Sequence, residues 1–152
     1  MTESNSLGST IALALLAMTF SGCGGVYDAT ATGFVTLDGN PVPRGTVAFH
    51  PTSGGPAAYA SILQDGSYAI RTGREKGLPT GQYQVTVTAH ESTGQTESAD
   101  GGPLPPGKAI TPPWYRSKET SGLTFNVERG SNQINLELTT QPPAGWNPRG
   151  RK

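Results

Sequence analysis

Apolar and polar residues alternate along most of this chain and seldom recur at helical spacing. The cleanest alternation lies in 82–89, where Tyr83, Val85, Val87 and Ala89 share one face and Gln84, Thr86 and Thr88 the other. That is the pattern of a half-buried strand in a sandwich. Residues 33–37 and 46–50 predict two earlier strands. Asp38-Gly39 between them is a dipeptide suited to a tight turn. Residues 58–63 and 67–71 predict two strands joined as a hairpin through Gln64-Asp65-Gly66. Residues 123–127 and 133–138 alternate in the same way, with 128–131 predicted as a hairpin turn. The sum is about seven short strands, enough for an all-β, two-sheet sandwich.

Six aromatics fall at strand spacing and read as core: Phe34, Phe49, Tyr59, Tyr68, Tyr83 and Phe125. Trp114, Tyr115 and Trp146 fall outside the strand pattern. Trp114 and Tyr115 follow Pro112-Pro113 inside a polar, proline-rich stretch, 91–122, that interrupts the strands. A loop of that length is functional or mobile as a rule. Its first part, 92–102, reads as disordered, and Trp114 and Tyr115 read as anchors of its second part. Exposed aromatics can also stack on a ligand, so Trp114 and Tyr115 are the candidate ligand contacts. The tail, 139–152, is expected to be extended and partly ordered.

The N-terminal stretch has a different character. Ile11 to Phe20 is apolar, and Ser21-Gly22 then lead into Cys23, the single cysteine of the chain. A membrane-spanning helix needs about 20 apolar residues, whereas a signal peptide needs a shorter apolar core and small residues before its cleavage point. The arrangement resembles a bacterial lipoprotein signal, in which the cysteine is lipidated and becomes the new N-terminus. It departs from the usual pattern in two places: 1–10 holds Glu3 and no Lys or Arg, and Phe20 stands where Leu is usual. A cleaved signal peptide with an unmodified cysteine is the other reading. The expected division is a signal peptide over 1–22, a flexible tether over 23–32, the sandwich over 33–138 and the tail. Lone thiols are disfavoured in oxidising compartments, and lipidation would consume this one.

Charge and chemistry narrow the function classes. The formal net charge is zero, with 11 basic and 11 acidic residues. No basic stripe is present, so nucleic-acid binding has no electrostatic basis. Glycine and proline are abundant, at 21 and 13 residues, which suits a domain rich in turns. Asp38 and Asp65 precede glycines without the further acids a calcium loop requires, so they read as turn formers and no metal is expected. The two histidines, His50 and His90, sit at or just beyond predicted strand ends, and no nucleophile motif accompanies them. No catalytic residue and no cofactor is expected.

Three segments in order resemble the carboxypeptidase regulatory-like domain, a small sandwich of transthyretin-like (prealbumin-like) topology. They are Gly33-Phe-Val-Thr-Leu-Asp-Gly-Asn-Pro-Val42 with Gly45-Thr-Val-Ala-Phe49, then Asp65-Gly-Ser-Tyr-Ala-Ile70, then Gly81-Gln-Tyr-Gln-Val-Thr-Val87. The whole chain is similar to small bacterial lipoproteins that carry this domain. In those, a segment like Thr111-Pro-Pro-Trp-Tyr115 precedes strands like 121–125 and 132–138. The resemblance implies a fold and a place in the cell envelope, and no catalytic residues. The same fold class holds hydroxyisourate hydrolases, whose C-terminal Tyr-Arg-Gly-Ser motif is not matched by Tyr115-Arg116-Ser117. Isopeptide-forming adhesin domains of this fold use a first-strand lysine, and this chain has none before Lys76.

The expectation is therefore a non-enzymatic β-sandwich, secreted across the inner membrane of a bacterium and lipid-anchored in its envelope on the periplasmic or surface side. It would act in display or assembly, with an edge strand or the 91–122 loop meeting an envelope protein. The alternative is a glycan- or peptide-binding module that uses Trp114 and Tyr115.

Overall fold

The computed structural model describes residues 25–94 and 106–147. In chain order its strands are β1 (Ala29–Leu37), β2 (Asn40–Pro41), β3 (Gly45–Pro51), β4 (Ala58–Ile62), β5 (Ser67–Ala69), β6 (Arg71–Thr72), β7 (Glu75–Lys76), β8 (Gly81–Thr88), β9 (Leu123–Val127), β10 (Gly130–Gln133) and β11 (Leu136–Leu138). One 3-10 turn, η1 (Pro113–Arg116), precedes β9, and no α-helix occurs among the described residues. The strands form two sheets, as the alternation predicts. The first has five strands gathered around β1; the second runs β7-β6-β4-β3-β8-β9.

β1 organises the first sheet. Along one edge it pairs antiparallel with β5 and β2; along the other it pairs parallel with β10 and β11. Its alternation starts earlier than expected. Ala29, Ala31, Gly33 and Val35 are buried, with Thr30, Thr32 and Phe34 exposed between them. Residues 29–32 therefore belong to the sheet and not to a tether. Two alanines are weak strand formers, and here the parallel partner β10 supplies the ordering that propensity lacks. The Asp38-Gly39 turn forms as its residues require: Asp38 (φ 48°) and Gly39 (φ 82°) both take positive φ and close a two-residue hairpin.

β10 and β11 form one course interrupted at Ile134 and Asn135, and the parallel register against β1 is the same on both sides of the break. Three backbone groups at the break find substitute partners. Ile134 N–H donates to the Thr32 carbonyl (2.8 Å), and Phe34 N–H to Asn135 Oδ1 (3.2 Å). The buried Tyr68 hydroxyl, reaching across β1 from β5, donates to the Ile134 carbonyl at 2.6 Å. Burial also pushes the Tyr68 phenol well above its ordinary pKa, so it stays a donor. This crossing needs Gly33. A Cβ there would lie 1.9 Å from the Ile134 carbonyl oxygen.

Two predicted strands are each divided. The 67–71 course splits at Ile70: β5 pairs into the first sheet, and β6 pairs with β4 in the second. The chain thus changes sheets in mid-strand and joins the two along one side. The turn at 128–131 is not a hairpin, because β9 pairs with β8 in the second sheet and β10 with β1 in the first. Between the sheets, Phe49 packs against Tyr68 (6.3 Å between ring centroids) and Tyr83 (5.9 Å). Such tilted pairs add about 0.5–1.5 kcal/mol each beyond burial. Phe34 and Tyr59 do not join them. They point outward, 46% and 52% exposed, because each occupies the solvent face of its strand.

Gly33→Ala should lower stability by about 3 kcal/mol or prevent folding, since overpacking against backbone cannot be relieved by a rotamer change. Tyr68→Phe should cost about 1–3 kcal/mol by leaving the Ile134 carbonyl without its donor. Urea unfolding followed by tryptophan fluorescence checks both. Near-wild-type midpoints would contradict the crossing.

Candidate functional site

Cys23 lies outside the described residues, as does most of the segment expected to be disordered. Trp114 and Tyr115 are well placed. A short stem precedes them, in which Glu91 N–H donates to Lys108 O and Ile110 N–H to Ala89 O. Thr111 Oγ1 accepts the Ala89 N–H at 3.0 Å, so the segment continues the edge beyond the end of β9. Pro112 and Pro113 then turn the chain into η1. Both aromatics are buried, Trp114 to 7% and Tyr115 to 6% exposure. The Tyr115 hydroxyl accepts the Thr139 N–H at 3.0 Å, and Trp146 stands edge-on to Trp114 at 5.0 Å. The two side chains thus pin the loop and the tail to the sandwich, and their covered rings leave little face for a ligand. Trp114 Nε1 is buried without an acceptor among the described residues.

The tail is held further by Asp38. Its carboxylate accepts Thr140 N–H (3.1 Å) and Thr140 Oγ1–H (2.7 Å), and these bonds hold its pKa below the ordinary value. The turn-forming Asp38 therefore also receives the chain end. Asp65 likewise accepts from the Ser67 N–H and hydroxyl inside its own turn.

The histidines do not meet. His50 lies opposite Gln84 on β8, and His90 follows six residues beyond Gln84 along the same course. That separation is roughly 20 Å at the rise of a strand. His50 Nε2 contacts Thr86 Oγ1 at 3.2 Å, and His90 bridges to Ala109. Among the described residues no three His, Cys, Asp or Glu side chains gather as metal ligands.

The surface feature that strand spacing concealed is an outward face across the β4–β5 hairpin. Three of the four large apolar side chains most open to solvent lie on it: Phe34, Tyr59 and Leu63. Register places them together. Phe34 is opposite Ser67, and Leu63 N–H bonds the Ser67 carbonyl. Tyr59 is opposite Arg71 on one side and Ala48 on the other. Because the chain changes sheets at Ile70, this face runs unbroken from the first sheet to the second. An open hollow of about 430 Å³ lies in it, lined by Tyr59, Ser61, Leu63, Ala69 and Arg71 with Thr46 at its side. Exposed apolar patches of this kind mark contact sites more often than chance. In the sequence, Tyr59 alternates with Ala58 and Ala60, and only the choice of face separates core from contact.

A second feature is the far edge of β9. β9 ends the six-stranded sheet, and no strand pairs with its outer side among the described residues. Its sequence, Leu123-Thr-Phe-Asn-Val127, holds no charge and no proline, the devices that usually blunt an open edge.

No known family, curated protein or solved structure matches the chain.

Trp114→Ala should cost about 3–5 kcal/mol, as for other buried large-to-small changes. Trp114→Phe should cost far less, since the indole N–H has no acceptor among the described residues. Thermal unfolding distinguishes them; a harmless Trp114→Ala would show the ring to be peripheral. His50 gives a pH signature. Burial foremost, with Lys118 adding, lowers its pKa from 6.5. The folded state then favours the neutral ring, so its contribution is complete above pH 6.5 and is lost as pH falls through the lowered value. Wild type should lose more stability than His50→Gln between pH 7 and 5. Parallel pH profiles would contradict this.

Proposed function

We propose that this protein is a lipid-anchored module of a bacterial cell envelope, a transthyretin-like sandwich that acts in display or assembly and not in catalysis. The observation that carries the reading is the sequence Phe20-Ser-Gly-Cys23 at the end of an apolar run, followed after five residues by the start of β1. Thioether-linked diacylglycerol on Cys23 would supply two acyl chains, enough for stable anchoring where a single chain is marginal. Five connecting residues span at most about 20 Å. The end of the sandwich where β1 begins would sit against the membrane, with the 89–91 and 108–111 stem at the opposite end.

The open edge of β9 supports an assembly role. An extended partner segment could continue the second sheet by main-chain hydrogen bonds. The separation of His50 and His90 supports a non-enzymatic reading.

Detergent phase partition with intact mass tests the anchor, on full-length protein and Cys23→Ala made in a bacterium with a lipoprotein pathway. The wild type should enter the detergent phase, begin at Cys23 and carry an acyl increment, and the variant should stay aqueous. If both stay aqueous and are cleaved elsewhere, the protein is freely secreted and the display mechanism fails.

A further inference from the structure

The outward face of the β4–β5 hairpin carries more than apolar surface. We infer that it is a binding site for a hydroxyl-rich, carboxylate-bearing polysaccharide, with Tyr59 as the stacking platform and Arg71 as the carboxylate clamp. This site is separate from Trp114 and Tyr115 and does not depend on the lipid anchor.

Three observations converge. First, Tyr59 is half-exposed and stands directly opposite Arg71 in the antiparallel register, so ring and guanidinium share one face at cross-strand distance. An open ring beside a cation can cover the C–H face of a sugar while the cation meets its acid group. Second, the charge there is uncompensated. The one ion pair among the described residues is Asp28–Arg129, and Arg71 makes a single long bond, 3.4 Å from Nη1 to the Arg74 carbonyl. The nearest acids, Asp65 and Glu75, are otherwise placed: Asp65 is bonded to Ser67 inside its own turn, and Glu75 on β7 stands opposite the buried Thr72; neither pairs with Arg71. The guanidinium keeps a free fork of donors, the geometry that grips a carboxylate in two places.

Third, the surround is made of hydroxyls. Thr32, Thr46 and Ser61 occupy the outward positions beside Ala69 and Leu63, while the Ser67 hydroxyl is taken by Asp65. Each hydroxyl both donates and accepts, which suits a ligand whose own groups do both. A hollow of about 430 Å³ falls within the size range of small-ligand sites, about 300–1,000 Å³. It is open along the sheet, as a polymer requires. An acidic protein segment would satisfy Arg71 but would leave this hydroxyl set largely unused.

Affinity electrophoresis of the detergent-solubilised full chain tests the site, with polygalacturonate in the gel and neutral dextran as control. Wild type should be retarded by polygalacturonate and not by dextran. Tyr59→Ala and Arg71→Gln should each weaken the retardation at least tenfold, and Arg116→Gln, on η1, should not. Tyr59→Phe should keep binding and Arg71→Lys should lose most of it, which separates stacking and a forked clamp from a folding defect. Absence of retardation would overturn the site, as would equal retardation of all variants. Retardation by polyglutamate alone would replace the polysaccharide with an acidic protein partner and overturn the ligand assigned here.

Discussion

The first sheet depends on one close approach, that of Gly33 to the Ile134 carbonyl, where a single added carbon would collide at 1.9 Å. β1 is the sole strand that touches all the others in its sheet, so its contact with the C-terminal course closes the domain. The course breaks at the point of closest approach. Tyr68 and Asn135 supply the missing partners there, and Tyr68 also packs on Phe49 of the opposite sheet. One phenol thus ties three elements: a hairpin strand, the C-terminal course and the second sheet. Because β1 and its parallel partners lie 101 residues apart in the chain, most of the protein must be in place before this contact forms. Such long-range pairing is slow to form and cooperative once formed.

The sheet change at Ile70 gives the fold its surface. A strand that served one sheet alone would leave a seam between the two outer faces. Here Ala69 and Arg71 straddle the crossing, so Phe34 and Leu63 on one side and Tyr59 on the other belong to a single outward surface. On the opposite side the chain passes from β9 to β10 through Glu128 and Arg129, and β9 remains an open edge among the described residues. The loop and the tail close the end where β1 finishes, through Tyr115, Trp146 and Asp38.

Much of this was legible in the chain. Alternation in 82–89, Asp38-Gly39 and the 64–66 turn led to β8 and two tight turns, because period-two burial and positive-φ turns are local properties. What alternation could not settle was which sheet a strand joins and which face it turns inward. Phe34 and Tyr59 read as core because aromatics on strands usually are, and the pleat turned them out. Residues 29–32 read as a tether because alanine carries little strand signal, and their order comes from β10 at the far end of the chain. The 128–131 turn read as a hairpin because two strands flanked it, while their true partners were distant. Trp114 and Tyr115 could be singled out as unusual, but anchor and contact differ only in burial.

The central claim is that the β1 crossing is part of the cooperative core and not a weak point at a broken ladder. Native-state hydrogen exchange at Ile134 tests it most directly, because this amide sits at the break and bonds to Thr32. The account predicts that Ile134 exchanges only by global unfolding, with the same free energy as Val35 in β1 and Val87 in the second sheet. Exchange of Ile134 through local opening, well below the global stability, would contradict it.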